Sequence, residues 1–383
     1  MAALTGPEGV ADALRCRARL SGLALLLALP VAPVSCSGGV ASTPSQPAPV
    51  GWGLLSSGLR DKTLWPFDSA SIWNTAIGSG AVYQPAAITA NNGGGYPTNF
   101  GPDEDVIIMT PAAPMTQVYF SPVAWNGGDR CSPQGSLLAT VPVPAAYTLP
   151  NSGQNNSAAI LMPDGQTLNQ NQPFTLCTAG GPATTLVVEA LTSIYGDGYY
   201  GAHGGSGLSS VGGTIRYGEF TSGKIHHAMK VELWASQYYF CCTPHWPATV
   251  VDDYAGNTYK GTNPNLGPGS LLALPPGFNV SALATTPGKI IAQAFKDYGA
   301  YVVDDTAWND WALCTEQGPG GRVADEFASL YGFAFSPAQG SNTPFMQDIT
   351  SIFQSLQIVT NNSATSIGGG GTPRVAAPPA IGN

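Results

Sequence analysis

Gly212–Ala235 reads GGTIRYGEFTSGKIHHAMKVELWA, and the folding of this stretch decides how the chain is built. Ile225, His227, Met229, Val231 and Leu233 alternate with His226, Lys230, Glu232 and Trp234. That two-residue period belongs to a β-strand, in which neighbouring side chains face opposite ways. Ser222-Gly223 suits a two-residue turn, so GGTIRYGEF and KIHHAMKVELWA are expected to pair as a hairpin, with Glu219 opposite His226 and Arg216 opposite Met229. One face of the second strand then looks like core. The other, with Tyr217, Glu219, His226, Lys230, Glu232 and Trp234, combines aromatic rings, carboxylates, an imidazole and a cation.

The rest of the chain repeats this rhythm. Short apolar runs such as VIIM, TQVYF, SLLATV, AAILM and TTLVVEAL are separated by Gly, Pro and Asn clusters, which indicates strands joined by turns. Charged residues make up only 10% of the 383-residue chain, against 48 Gly and 33 Pro, a composition that disfavours long surface helices. The expected fold is mainly β, an antiparallel β-sandwich of jelly-roll type with a few peripheral helices. The clearest helix is TPGKIIAQAFKDYG, with Ile290, Ile291, Ala294 and Phe295 on one stripe, Pro287 near its start and Gly299 at its end. Weaker helical patterns occur at RVADEFASLYG and PFMQDITSIFQSL.

Arg15, Arg17 and Arg19 precede the apolar run LSGLALLLALPVAPVS, which ends at Cys36. The run is too short to span a bilayer and has the build of an export signal. PVSCSGG resembles a bacterial lipobox, with Pro33 departing from the usual Leu, and this makes Cys36 a candidate lipid anchor and the only expected link to a membrane. The expected organisation is a signal over 1–36, a flexible linker over 37–60, a β-sandwich domain over 61–360 and a disordered tail over 361–383. The formal net charge of −9 excludes nucleic acid as an expected partner. An oxidising compartment suggests that Cys131 pairs with Cys177 and Cys314 with Cys241 or Cys242.

IWNTAIGSGA, GGTIRYGEF, IHHAMKVEL, HWPATVVDDYAG and DYGAYVVDDTAWND together resemble a group of exported bacterial β-sandwich-like proteins of unassigned function. The resemblance implies the sandwich and no reaction. That group tends to read Ile-x-His-Ala where this chain has Ile225, His227 and Ala228, which implies that His227 matters more than His226.

Aromatic rings cover the apolar faces of sugars, and charged groups bind their hydroxyls. The face at 216–234 therefore points to an exported enzyme cleaving a polysaccharide, and the alternative is a non-catalytic glycan-binding or cell-envelope protein. For a lyase, His227 or His226 serves as base, Arg216 neutralises a uronate and Tyr217 gives the proton. For a hydrolase, Glu219 pairs with Glu232 or Asp305. Lys230, Glu232, Trp234 and Trp246 are the candidate sugar contacts. No cofactor is expected apart from calcium, for which Asp304, Asp305 and Asp310 are candidate ligands, although their spacing fits acidic turns as well. GAHGGSG around His203 reads as a tight exposed loop.

In protein recovered from its native host, the N-terminal peptide is expected to begin at a lipid-modified Cys36. Fully soluble protein with an unmodified N-terminus elsewhere, read by mass spectrometry, counts against the anchor.

Overall fold

In the computed structural model the apolar runs become strands, and the described residues are 51–382 apart from 90–98, 124, 126 and 339. The expected signal, Cys36 and linker residues 37–50 lie outside the described residues. The fold is mainly β, with two mostly antiparallel sheets and few helices.

Twelve strands among the described residues form the main sheet. In chain order its longer members are β1 (Phe100–Ile108), β2 (Ala158–Leu161), β3 (Thr167–Gln172), β4 (Met229–Leu233), β5 (Ala300–Asp305) and β6 (Trp311–Gly318). Its centre runs β5-β4-β6-β1-β2-β3. The pairs β4/β5, β6/β1 and β1/β2 are parallel, and β4/β6 and β2/β3 are antiparallel. A smaller sheet joins Met115–Phe120 to Leu137–Pro142 and Ala183–Thr185. It shares a core with β1 and β2 through Val106, Ile108, Ala158, Ile160, Val118 and Val141.

Three helices cover one face of the centre: α1 (Thr286–Asp297), α2 (Val323–Tyr331) and α3 (Pro344–Ser355). They fall on the three stretches whose 3.6-residue patterns indicated them. Thr285 caps α1 by accepting the Gly288 N–H, and Pro287 occupies its first turn. Ile291, Phe295, Phe327, Ile349 and Phe353 pack against Met229, Val231, Leu233, Val302 and Leu313. The apolar face assigned to Met229, Val231 and Leu233 is thus the face that the helices bury.

The hairpin expected before β4 does not form. Glu219–Ser222 is instead a helical turn, bracketed by Gly218 (φ 94°) and Gly223 (φ 77°) in the left-handed region that favours glycine. The α2 carboxylate Glu326 accepts N–H bonds from Gly218 and Thr221, both at 2.9 Å, and so fixes the turn against that helix. A chain held this way cannot extend into a strand.

Residues 51–60 of the expected linker and 361–382 of the expected tail are ordered. Arg60 is buried, and its guanidinium donates to the carbonyls of Pro379 and Pro66. The Arg374 guanidinium donates to the carbonyls of Leu274 and Lys296 and lies over the Tyr83 ring. GGGG at 368–371 forms a closely packed turn with positive φ at every residue, rather than a flexible spacer. Cys131 pairs with Cys177 as expected. Cys314 corrects the other pairing: it is a free thiol buried on β6, and Cys241 joins the adjacent Cys242.

Glu219 holds the segment leading into β4. Its Oε2 accepts the Arg216 N–H at 2.9 Å and faces His227 Nε2 at 3.1 Å, and its Oε1 accepts the His226 N–H at 3.1 Å. Glu219→Ala leaves these buried donors without partners and is expected to cost about 3 kcal/mol or more. Urea denaturation checks this, and a loss below about 0.5 kcal/mol, the size of an ordinary surface effect, would refute it.

Candidate active site

β6, β4 and β5 turn Trp311, Leu313, Met229, Val231, Leu233 and Val302 toward the helices, and a cluster of buried polar groups stands on the opposite face of these strands and of β1. On that face stand Asp103 and Asp105 of β1, Cys314 of β6, Lys230 and Glu232 of β4, and Asp304 of β5. Asp304 reaches it through a register shift. Val231 pairs with Val302 but Glu232 with Asp304, so Val303 is the extra residue of a bulge that turns Asp304 to the side of Glu232.

The face is closed by a glycine hairpin, Tyr200–Leu208, which carries His203. A Cβ on Gly205 would lie 2.5 Å from Asp304 Oδ1, so only glycine allows this approach. His203 is buried, which corrects the expectation of an exposed loop. Its Nε2 lies 3.5 Å from Asp105 Oδ1, 3.7 Å from Asp103 Oδ2, 3.8 Å from Glu232 Oε1 and 3.5 Å from Cys314 Sγ. Its Nδ1 faces the Gly204 carbonyl at 3.5 Å.

Lys230 Nζ pairs with Asp105 Oδ2 at 2.8 Å and donates to the carbonyls of Ser209 and Ser210 at 3.1 Å. Asn155 Nδ2 donates to Asp103 Oδ2 at 3.1 Å. Burial, followed by the charges of neighbouring carboxylates, raises Glu232 and Asp304 well above the usual carboxyl range. Burial also raises Asp103, opposed by hydrogen bonds from Glu232 and Asn155. The Cys314 thiol is pushed up by burial and by Asp105.

Above this floor opens a cleft of about 550 Å³. Asp103, Glu232 and Asp304 form its base, and Asp252, Asp305 and Asp310 line its walls. Trp125, Trp308 and Tyr254 stand at its rim, 51%, 59% and 43% exposed. Burial raises Asp310 to about 6, opposed by the Trp311 N–H at 2.8 Å. Asp305 Oδ1 accepts N–H bonds from Ala235 at 2.8 Å and Ala307 at 2.9 Å. Asp304, Asp305 and Asp310, the candidate calcium ligands, each use Oδ1 as a backbone acceptor, as acidic turn residues do.

The structure divides the sequence candidates. Glu232, Asp304, Asp305 and Asp310 meet in the cleft. Arg216, Glu219 and His227 meet elsewhere, in a buried knot. Arg216 is committed to Glu316 Oε2 at 2.7 Å and to the carbonyls of Leu64 and Thr63 at 2.9 Å. His227 lies between Glu219 and the Ala228 carbonyl. His226 is not on an open face: its ring packs 5.8 Å from Trp52 and 5.1 Å from Trp65, and burial lowers it to about 4. Tyr217 is half exposed beside Gly321, Trp234 packs against the helix-side core, and Trp246 sits edge-on to Tyr199. Lys230 is fully buried, so it is a structural cation and not a sugar contact.

The sequence alone does not single out Asp103, Tyr254, Trp125, Trp308, His203 and Cys314 as site residues. One signal was legible: Asp103 and Asp105 alternate on a strand of a chain that has few charges to place.

Lys230→Met leaves Asp105, which burial already raises to about 7, without its cation, and is expected to lower stability by about 3–5 kcal/mol. Chemical denaturation of Lys230→Met beside Lys230→Met/Asp105→Leu checks this, since the double variant should recover part of the loss. Equal losses in both would show that the pair is not the cause. Comparison of the chain with family models, with curated proteins and with solved structures finds no match, so the chemistry of the cleft rests on its own atoms.

Proposed function

We propose that this chain is an exported glycoside hydrolase that cuts a polysaccharide in the acidic cleft. The observation that carries this reading is the placement of carboxyl groups beneath three exposed aromatic rings. Trp308, Trp125 and Tyr254 offer flat apolar surfaces to sugar rings, and the wall carboxyls reach hydroxyls and glycosidic oxygens. An extracellular polysaccharide also suits a chain with a candidate export signal and a candidate lipid anchor.

Hydrolysis is favoured over elimination by charge. Elimination beside a uronate needs a cation to neutralise the sugar carboxylate, and among the described residues lining the cleft none is Lys or Arg. Acidic walls repel a uronate and accept neutral or amino sugars. Arg216, His227, His226 and Tyr217, the lyase set, do not line the cleft.

Two wall carboxyls suit the two roles of glycoside hydrolysis. Asp310, raised to about 6, gives its proton to the leaving glycosidic oxygen. Asp305 accepts two backbone N–H bonds through one oxygen, and Tyr254 Oη approaches the other at 3.5 Å. Burial raises Asp305 and these donors oppose the rise by favouring its charged form, and in this reading it is the carboxylate that attacks the anomeric carbon or takes a proton from water. Trp308 lies between them in the chain and stacks the sugar.

On a panel of polysaccharides the protein is expected to release new reducing ends without the ultraviolet absorbance of unsaturated uronates. Asp310→Asn is expected to lower kcat by about 100- to 10,000-fold, and Trp308→Ala to raise KM more than it lowers kcat. Because the acid must be protonated, activity falls as pH rises above about 6, and Asp310→Asn removes that limb. Retention of a polysaccharide with unchanged chain length identifies a binding protein instead, and the unsaturated product identifies a lyase.

A further inference from the structure

We infer that Asp103, His203, Glu232 and Cys314 bind one divalent transition-metal ion, zinc by ligand type, in a closed site that fastens the floor of the cleft together. One donor atom from each of the four residues lies within 4.8 Å of all the others. Four of the six separations are close to one value: His203 Nε2 to Cys314 Sγ is 3.5 Å, to Asp103 Oδ2 3.7 Å and to Glu232 Oε1 3.8 Å, and Cys314 Sγ to Glu232 Oε1 is 3.6 Å. With zinc bonds of about 2.0–2.3 Å, a tetrahedral site has edges of about 3.3–3.8 Å. The nitrogen–oxygen separations are too long for hydrogen bonds and suit ligands spaced around a common centre.

His203 is oriented for this role. Its Nδ1 faces the Gly204 carbonyl, an acceptor, so the ring proton belongs there and Nε2 presents a lone pair to the other three groups. A second observation points the same way. Asp105 is fully buried, and its Oδ1 has no hydrogen-bond partner yet lies 3.5 Å from His203 Nε2. The nearby cation, Lys230, is committed to the other oxygen of Asp105. Buried carboxylates and a lone pair converging on one point call for positive charge there.

The donor set chooses the ion. Calcium and magnesium take oxygen ligands, whereas imidazole with thiol selects zinc or a neighbouring transition metal. A bound divalent cation deprotonates a coordinating thiol, and one thiolate with two carboxylates then holds the charge of the ion. Four protein ligands complete the tetrahedron, as in structural sites. Because they come from β1, β4, β6 and the glycine hairpin, the ion cross-links four segments remote in sequence. The inference does not depend on the glycan reading.

The test is metal content and cobalt spectroscopy on the full chain, stripped with chelator, reloaded with Zn²⁺ or Co²⁺ and desalted. One ion per chain is expected by mass spectrometry. The Co²⁺ form should show intense visible bands of tetrahedral cobalt and a thiolate-to-cobalt charge-transfer band. Cys314→Ser should lose the charge-transfer band and His203→Ala the ion itself, while Asp310→Asn, which lies outside the ligand set, keeps both. If either ligand variant fails to fold by circular dichroism, the wild-type cobalt spectrum alone decides. Substoichiometric metal after reloading, or a cobalt spectrum without the thiolate band, overturns the proposal.

Discussion

The buried ion pair between Lys230 and Asp105 is the contact on which the arrangement of the site depends. An ammonium removed from water carries a penalty of several kcal/mol unless its donors are met. Here Asp105 Oδ2 and the carbonyls of Ser209 and Ser210 meet all three. The side chain reaches across β6 from β4 to β1 and holds the Ser209–Ser210 backbone above the sheet. The hairpin bearing His203 ends only one residue earlier, at Leu208, so the same ion pair sets where the imidazole lies. Gly213 passes so close that a Cβ there would lie 2.8 Å from Lys230 Cγ, which leaves the lysine stem little freedom.

Around this contact the chain concentrates charge that it withholds elsewhere. Strands that turn Met229, Val231, Leu233, Val302 and Leu313 toward the helices place carboxylates, an amine and a thiol on their other faces, beneath a cover of glycine and serine backbone. The β5 bulge adds Asp304 to the same side, because one extra residue reverses the alternation after Val303. An unbulged β5 would direct Asp304 into the helix-side core among Val302 and Leu313. The bulge is therefore what makes a two-strand acidic floor into a three-strand one.

How much of this was legible follows from how local each signal is. The three helices were legible because a 3.6-residue stripe, an N-cap and terminal glycines all fall within a dozen residues. The alternation in Met229–Leu233 was legible for the same reason, and Met229, Val231 and Leu233 lie in the core as read. Whether Lys230 and Glu232 face water or a second layer was not legible, since the covering hairpin lies about twenty-five residues upstream and has little apolar character of its own. The segment before β4 misled because Ser-Gly suits a β-turn and a helix end equally, and Glu326 on α2, about a hundred residues away, decides between them. Asp103, His203, Glu232, Asp304 and Cys314 span more than two hundred residues, and only the strand order brings them to one place.

The cleft joins two kinds of carboxyl, and their supports differ. Asp103 and Glu232 stand on central strands held by ladder pairing on both sides, close to His203 and Cys314, so moving either disturbs several buried partners. Asp305 and Asp310 flank a turn at the end of β5, where backbone N–H groups hold their oxygens and Trp308 projects toward solvent. Binding and proton transfer need groups that meet the substrate, and these belong to segments over a rigid frame rather than to the frame. The strand-borne set is the more tightly determined and the less accessible, which fits it to hold the floor in place. The turn-borne set meets the space under the rings, where a sugar would lie.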